Sequence, residues 1–185
     1  MMPKIAFFGT PAIGVYVLEE LERAGIVPSL IVTNPDTQQG RKMRMTETLV
    51  AQFARKRGIT TLKPKTLNDS TTLEALRASG VELFIVAAYG KIIPNAILNL
   101  PKHGTLNMHP SLLPKLRGAS PIRSAILQNE YPTGVSIMVL TEGLDKGPIV
   151  AQEVVSIEKS AWPLSGRILD EHLARAGGAL LARIL

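Results

Sequence analysis

A chain of 185 residues fits one ordinary domain able to bury most of its apolar surface, and 45% hydrophobic against 19% charged residues excludes a disordered composition. The absence of cysteine excludes disulfides, thiolate nucleophiles and cysteine-ligated zinc. Lys and Arg number 21 against 15 acidic residues, and the resulting +6 suits polyanionic partners such as nucleic acid as well as it suits a solvated surface.

Short apolar runs alternate with helical stretches from the first residues on. This is the pattern of an α/β, Rossmann-like fold, a mostly parallel twisted sheet with helices on both faces. Residues 5–9 read as a first strand, 11–24 as a helix stopped by Gly25, and 30–33 as a second strand. Residues 34–45 read as a polar loop, after which Thr46, with Glu47 beside it, starts a helix that runs to Arg57 and stops at Gly58. A short strand at 60–63 and a helix at 71–78, closed by Gly80, come before 81–89. That run is so continuously apolar that it reads as a central strand buried on both faces. Then follow a strand at 105–109, a helix at 121–128, and strands at 135–140 and 149–157 around a glycine-rich turn. Residues 164–185 have a helical period with a weak point at Gly177-Gly178.

No repeat or linker interrupts the pattern, so one domain over 1–185 is expected. The longest apolar run, 83–88, is far shorter than the roughly 20 residues of a membrane span. Gly9-Thr10-Pro11 interrupts any signal-peptide pattern, and a soluble, cytoplasmic protein with no membrane partner is expected.

Asn107 and His109 are two apart on a predicted strand, so both side chains point to one face. Pro110 ends the pairing there. A carboxamide and an imidazole then stand together at the carboxyl end of a strand, the edge where open α/β sheets bind ligands. The same spacing also fits a pair that caps a turn. Asp145, in Glu142-Gly143-Leu144-Asp145-Lys146-Gly147, fits a turn residue bonded to its own backbone. From a neighbouring strand end it would also reach His109 and fix its tautomer. His103 and His172 have no metal-ligand spacing with His109, so no metal is expected. Gly9 to Gly14 follows a strand and opens a helix, yet lacks both the three-glycine dinucleotide fingerprint and the Gly-Lys-Ser/Thr of a phosphate loop.

The run Asn107-Met108-His109-Pro110-Ser111-Leu112-Leu113-Pro114, then Arg117-Gly118 and Pro121, then Gly143-Leu144-Asp145-Lys146-Gly147, resembles the signature of the folate-dependent formyltransferases. Within that superfamily the chain is most similar to the methionyl-tRNA formyltransferase family. The similarity rests on Phe8-Gly9-Thr10-Pro11, Asn34-Pro35-Asp36 with Gly40-Arg41-Lys42 downstream, and Ala88-Tyr89-Gly90, and it covers nearly the whole chain. Members of that family are longer and carry a C-terminal β-barrel domain that helps hold tRNA, and the resemblance implies that residues 1–185 are the catalytic domain with that domain absent. The family's proline-containing stretch after the basic loop is replaced here by Met45-Thr46-Glu47-Thr48.

The resemblance implies a formyltransferase fold and transfer of a formyl group from 10-formyltetrahydrofolate to the amine of initiator methionyl-tRNA. It gives Asn107, His109 and Asp145 as the catalytic residues, Asn107 and a protonated His109 donating to the oxyanion and Asp145 orienting the histidine. It places Ser111, Leu112, Leu113 and Pro114 at the folate, with Tyr89, Gly90, Ile92, Leu140, Thr141, Glu142 and Leu144 walling the pterin pocket. Arg41, Lys42 and Arg44 are implied in contact with tRNA phosphates, and a monomer is expected. A sugar-nucleotide N-formyltransferase, a formyltetrahydrofolate hydrolase, and a catalytically inactive folate- or partner-binding remnant stay open as alternatives.

Overall fold

The structure is a computed structural model that describes residues 2–39 and 43–185. Its elements run β1 (Ile5–Gly9), α1 (Ala12–Arg23), β2 (Leu30–Val32), β3 (Thr37–Gln39), β4 (Arg44–Thr46), α2 (Leu49–Lys56), β5 (Thr60–Leu62), α3 (Ser70–Ala78), β6 (Leu83–Ala87), α4 (Asn95–Leu98), β7 (Thr105–His109), α5 (Pro121–Leu127), β8 (Gly134–Val139), β9 (Ile149–Val154) and α6 (Gly166–Ile184). The α/β, Rossmann-like class read from the sequence is the one observed. The chain divides into two compact units, Met1–Val15 with Val27–Thr105, and Tyr16–Ile26 with Leu106–Leu185.

In the first unit β5, β2, β1 and β6 lie side by side in that order, every pairing parallel. All residues of β1, β2 and β6 are buried and nearly all are apolar, as expected of parallel strands covered on both faces. Phe8 packs its ring on Phe84 at 4.9 Å. The central strand is shorter than the apolar run 81–89 suggested: it stops at Ala87, because Ala88 takes a left-handed φ of 51° that no strand continues.

The polar loop expected at 34–45 contains a hairpin, with β3 antiparallel to β4. Thr46 is therefore not a helix start. It ends β4 with its hydroxyl on Arg44 O, and Thr48 caps α2 by accepting Ala51 N–H at 3.1 Å. Lys63 ties this segment to β5 through Asp36 at 2.7 Å and Glu47 at 3.3 Å.

In the second unit β7, β8 and β9 pair antiparallel in that order. The expected weak point in the last helix is absent: α6 runs unbroken for 19 residues. Its two glycines serve close approach instead. A Cβ at Gly177 would meet Met108 Cγ at 2.5 Å, and one at Gly178 would meet Glu20 Cβ at 2.7 Å and Val17 O at 3.0 Å on α1. Arg175 fixes the same two helices by bonding Glu19, Glu20 and Glu171. Met108 thus faces α6, so Asn107 and His109, one residue to either side, face away from it.

Candidate active site

β7 ends on His109, which is 4% exposed. Its Nδ1 lies 3.5 Å from Asp145 Oδ2, and Asp145 is itself 6% exposed, so both partners of the pair are removed from water. The other ring nitrogen, Nε2, is 3.0 Å from Leu116 O. Each ring nitrogen therefore faces an oxygen, that of Leu116 within hydrogen-bond reach and that of Asp145 at ion-pair distance. The carboxylate has a further anchor, since Gly118 N–H donates to Asp145 Oδ2 at 2.8 Å.

The two acceptors around the imidazole share a backbone peculiarity. Leu116 has φ 56° and Asp145 has φ 48°, both in the left-handed region. A non-glycine residue held there costs on the order of 1–3 kcal/mol, and such residues gather where a site over-determines the chain. The loop and turn that flank His109 are thus bent so that a carbonyl and a carboxylate meet one ring.

Asn107 shares the His109 face of β7, is partly exposed and lies opposite Met138 on β8. Of the three residues singled out in the sequence, the structure sets His109 and Asp145 within 3.5 Å of each other, with Asn107 two residues before His109 on the same strand face. Among the described residues no group of His, Asp or Glu is placed to hold a metal ion.

The loop after β7 is held through its backbone. Ser111 and Leu113 are buried, Leu112 lies against Gly134 and is partly buried, and Pro114 is exposed. Ser111 Oγ donates to Lys115 O at 2.8 Å. The fully buried Ser136 donates to Ser111 O at 2.6 Å and accepts Leu113 N–H at 3.0 Å. Gln152 Nε2 donates to Leu113 O at 2.8 Å. In the turn after β8, Leu140 is partly buried, while Thr141, Glu142 and Leu144 are exposed ahead of the buried Asp145.

Tyr89, Gly90 and Ile92 belong to the first unit. There the phenol of Tyr89 is a core group, 2% exposed and edge-on to Phe8 at 5.5 Å. Among the described residues its hydroxyl has no hydrogen-bond partner, and burial pushes its pKa up to about 12. Gly90 is exposed, as is Ile92 at 93%. The Tyr89 carbonyl gathers three of the sequence motifs, accepting from Thr10 Oγ1 at 3.1 Å and from Asn34 Nδ2 at 3.3 Å. Arg44 is exposed on β4, and Arg41 and Lys42 lie outside the described residues.

Sequence reading missed Ser136, Gln152, and the backbone groups of Leu116 and Gly118. Cross-strand register would have pointed to the first two: Ser136 lies opposite His109, and Gln152 opposite Ser136.

The chain is thus an α/β fold in which β7 ends on a buried imidazole beside a carboxylate. Its fold matches solved structures over almost its whole length. One is phosphoribosylglycinamide formyltransferase from Streptococcus pneumoniae TIGR4, with TM-score 0.76 and 19% identity over 99% of this chain and 97% of that one. Another is glycinamide ribonucleotide transformylase 1 from Geobacillus kaustophilus, with TM-score 0.76 and 21% identity over 100% of both chains. At these identities the likeness is one of fold.

The family model described as formyl transferase matches residues 3–174, and the chain belongs to that family. Among curated relatives it is similar to methionyl-tRNA formyltransferase of Thermus thermophilus, 46% identical over 170 residues, 91% of this chain and 55% of the relative. It is also 43% identical over 182 residues to that of Chloroflexus aurantiacus (strain ATCC 29366 / DSM 635 / J-10-fl), covering 98% of this chain and 58% of the relative. The chain spans somewhat over half the length of these relatives.

Proposed function

We propose that this chain carries the chemistry of a cytoplasmic enzyme that moves the formyl group of 10-formyltetrahydrofolate to the α-amino group of initiator methionyl-tRNA. The observation that carries this reading is the buried His109–Asp145 pair beside Asn107 on one strand face. The acceptor is taken from relatives at 40–46% identity that bear the name methionyl-tRNA formyltransferase. The solved neighbours, at 16–24%, inform the fold and not the acceptor.

In the reaction the amine nitrogen bonds to the formyl carbon, the bond from that carbon to N10 of the folate breaks, and N10 keeps the electron pair and takes a proton. The amine must release a proton to the same centre. Between these events the formyl oxygen carries negative charge. Asn107 meets that charge with its amide hydrogens, and each oxyanion donor of this type is worth roughly 2.7–4 kcal/mol in the transition state. His109 Nε2 meets the Leu116 carbonyl, so it donates to the oxyanion by exchanging that carbonyl for it. Asp145 keeps the ring oriented and balances its charge through that exchange.

Donor binding is assigned to the Ser111-Leu112-Leu113-Pro114 run and the 140–144 turn on the resemblance, with the partly buried Leu112 and Leu140 as apolar surface for a flat heterocycle. For Tyr89, Gly90 and Ile92 the assignment rests on resemblance alone. Arg41, Lys42 and Arg44 are assigned to tRNA phosphates, a contact that weakens with salt.

The test supplies 10-formyltetrahydrofolate labelled in its formyl carbon together with methionyl-tRNA, an amino-sugar nucleotide or water as acceptor. Label on the methionyl-tRNA is the expected result. Label only on the sugar, only in formate, or left on the folate overturns the reading.

A further inference from the structure

Three side chains stand in one row across the second unit: His109 on β7 opposite Ser136 on β8, and Ser136 opposite Gln152 on β9. Residues directly opposite in antiparallel strands share a face. The proposed chemistry uses the first of the three and leaves the other two without a task.

Ser136 is fully buried and its hydroxyl is fully engaged. It donates to Ser111 O at 2.6 Å and accepts from Leu113 N at 3.0 Å and from Gln152 Nε2 at 2.8 Å. The carboxamide nitrogen of Gln152 also reaches Leu113 O at 2.8 Å. Both backbone groups of Leu113 are therefore held from β8 and β9. Three residues further on, Leu116 O closes on His109 Nε2 at 3.0 Å. Hydrogen bonds thus run from the exposed end of the row to Leu113, and three residues of main chain lead from there to the Leu116 carbonyl at the imidazole.

We propose that Gln152, acting through Ser136, is a positioning residue that sets the Ser111–Leu116 loop for the formyl donor. This rests on the reading given above, in which that loop holds the folate. The residue type is specific to the task. The carboxamide nitrogen offers its two hydrogens to two acceptors without bringing a charge, whereas a glutamate would set an oxygen against Leu113 O. Gln152 is exposed on the outermost strand of the row, so replacing it leaves the core in place.

The test compares Gln152→Met and Gln152→Glu with the unaltered chain. Without ligand, amide exchange at Leu113 is expected to rise while that of Val135, in the core of β8, stays as it was. In steady-state assays the Met variant is expected to raise KM for 10-formyltetrahydrofolate about tenfold and to change kcat less than about threefold, as the loss of two neutral hydrogen bonds outside the reacting centre implies. The Glu variant is expected to be worse on both readouts. An unchanged KM overturns the proposal. So does a fall in melting temperature and kcat together without a change in KM, because that is a purely structural effect. If the unaltered chain binds no reduced folate while Leu113 exchange still responds to Gln152, the formyl-donor reading fails and the hold on the loop stands.

Discussion

Each unit has a buried polar group that collects hydrogen bonds from several segments, and these two, Tyr89 O and Ser136 Oγ, differ in kind. In the first unit it is a backbone carbonyl, Tyr89 O, approached by the side chains of Thr10 and Asn34 from beyond the ends of β1 and β2. In the second it is a side chain within a strand, Ser136 Oγ, reaching the backbone of the loop after β7. The parallel strands of the first unit keep their interiors almost wholly apolar, whereas β7 and β8 carry His109 and Ser136 in buried positions. A polar group inside a buried strand is costly unless every valence is met. Where such groups are kept and satisfied, they hold something that must not move. The first unit uses its polar contacts to join loops, and the second uses them to aim a loop and a ring.

That difference can be broken experimentally, beginning with the largest effect. Asp145→Asn keeps the size of the side chain and an acceptor for Gly118 N–H but removes the charge beside His109. Formyl transfer is expected to fall by about 10³-fold with a small change in melting temperature, in line with the loss of a preorganised charge at a reacting centre. An unaltered pH–rate profile would show that the carboxylate does not act through the imidazole. Asn107→Ala should lower kcat by about 10²–10³-fold while leaving donor affinity close to that of the parent, as measured by equilibrium titration with reduced folate.

The first unit should answer in stability instead. The Tyr89 phenol ionises near 10 in an unfolded chain and is raised to about 12 here by burial. As pH climbs from 10 towards 12 the unfolded chain gives up this proton first, so the folded state loses up to about 1.4 kcal/mol per pH unit. Below pH 10 this contribution is fully present. Tyr89→Phe removes it, and denaturant titrations should show the variant gaining on the parent only above pH 10. The smallest effect is expected from Asn34→Ala, about 0.5–1.5 kcal/mol of stability for one of two bonds to Tyr89 O, with kcat near that of the parent. A hundredfold loss of turnover there would place chemistry in the first unit as well and erase the contrast.

Some of this architecture was plain in the amino-acid order. β1 and β7 were read to the residue, because Gly9-Thr10-Pro11 and His109-Pro110 stop a strand abruptly. The β3–β4 hairpin was not, since Thr37-Gln38-Gln39 has none of the apolar alternation that marks a strand. Thr46 and Thr48 look alike as helix starts, and the distinction lies in which hydroxyl reaches a free N–H. For the site, motif order singled out Asn107, His109 and Asp145. Only the fold shows that the last two, 36 positions apart by number, lie 3.5 Å from each other. Ser136 was hidden within the apolar run of β8, where nothing in its neighbours distinguishes it from a packing residue.

The contact from Leu116 to His109 is made by the main chain. A carbonyl is supplied by any amino acid that accepts the positive φ of Leu116, so among such residues the side chain can change while the partner of the imidazole persists. Glycine, at ease with positive φ, would even relieve the local bend. Position 116 is therefore a place where the reach and polarity of the neighbouring surface can be re-engineered by saturation mutagenesis without deleting the atom that the ring leans on.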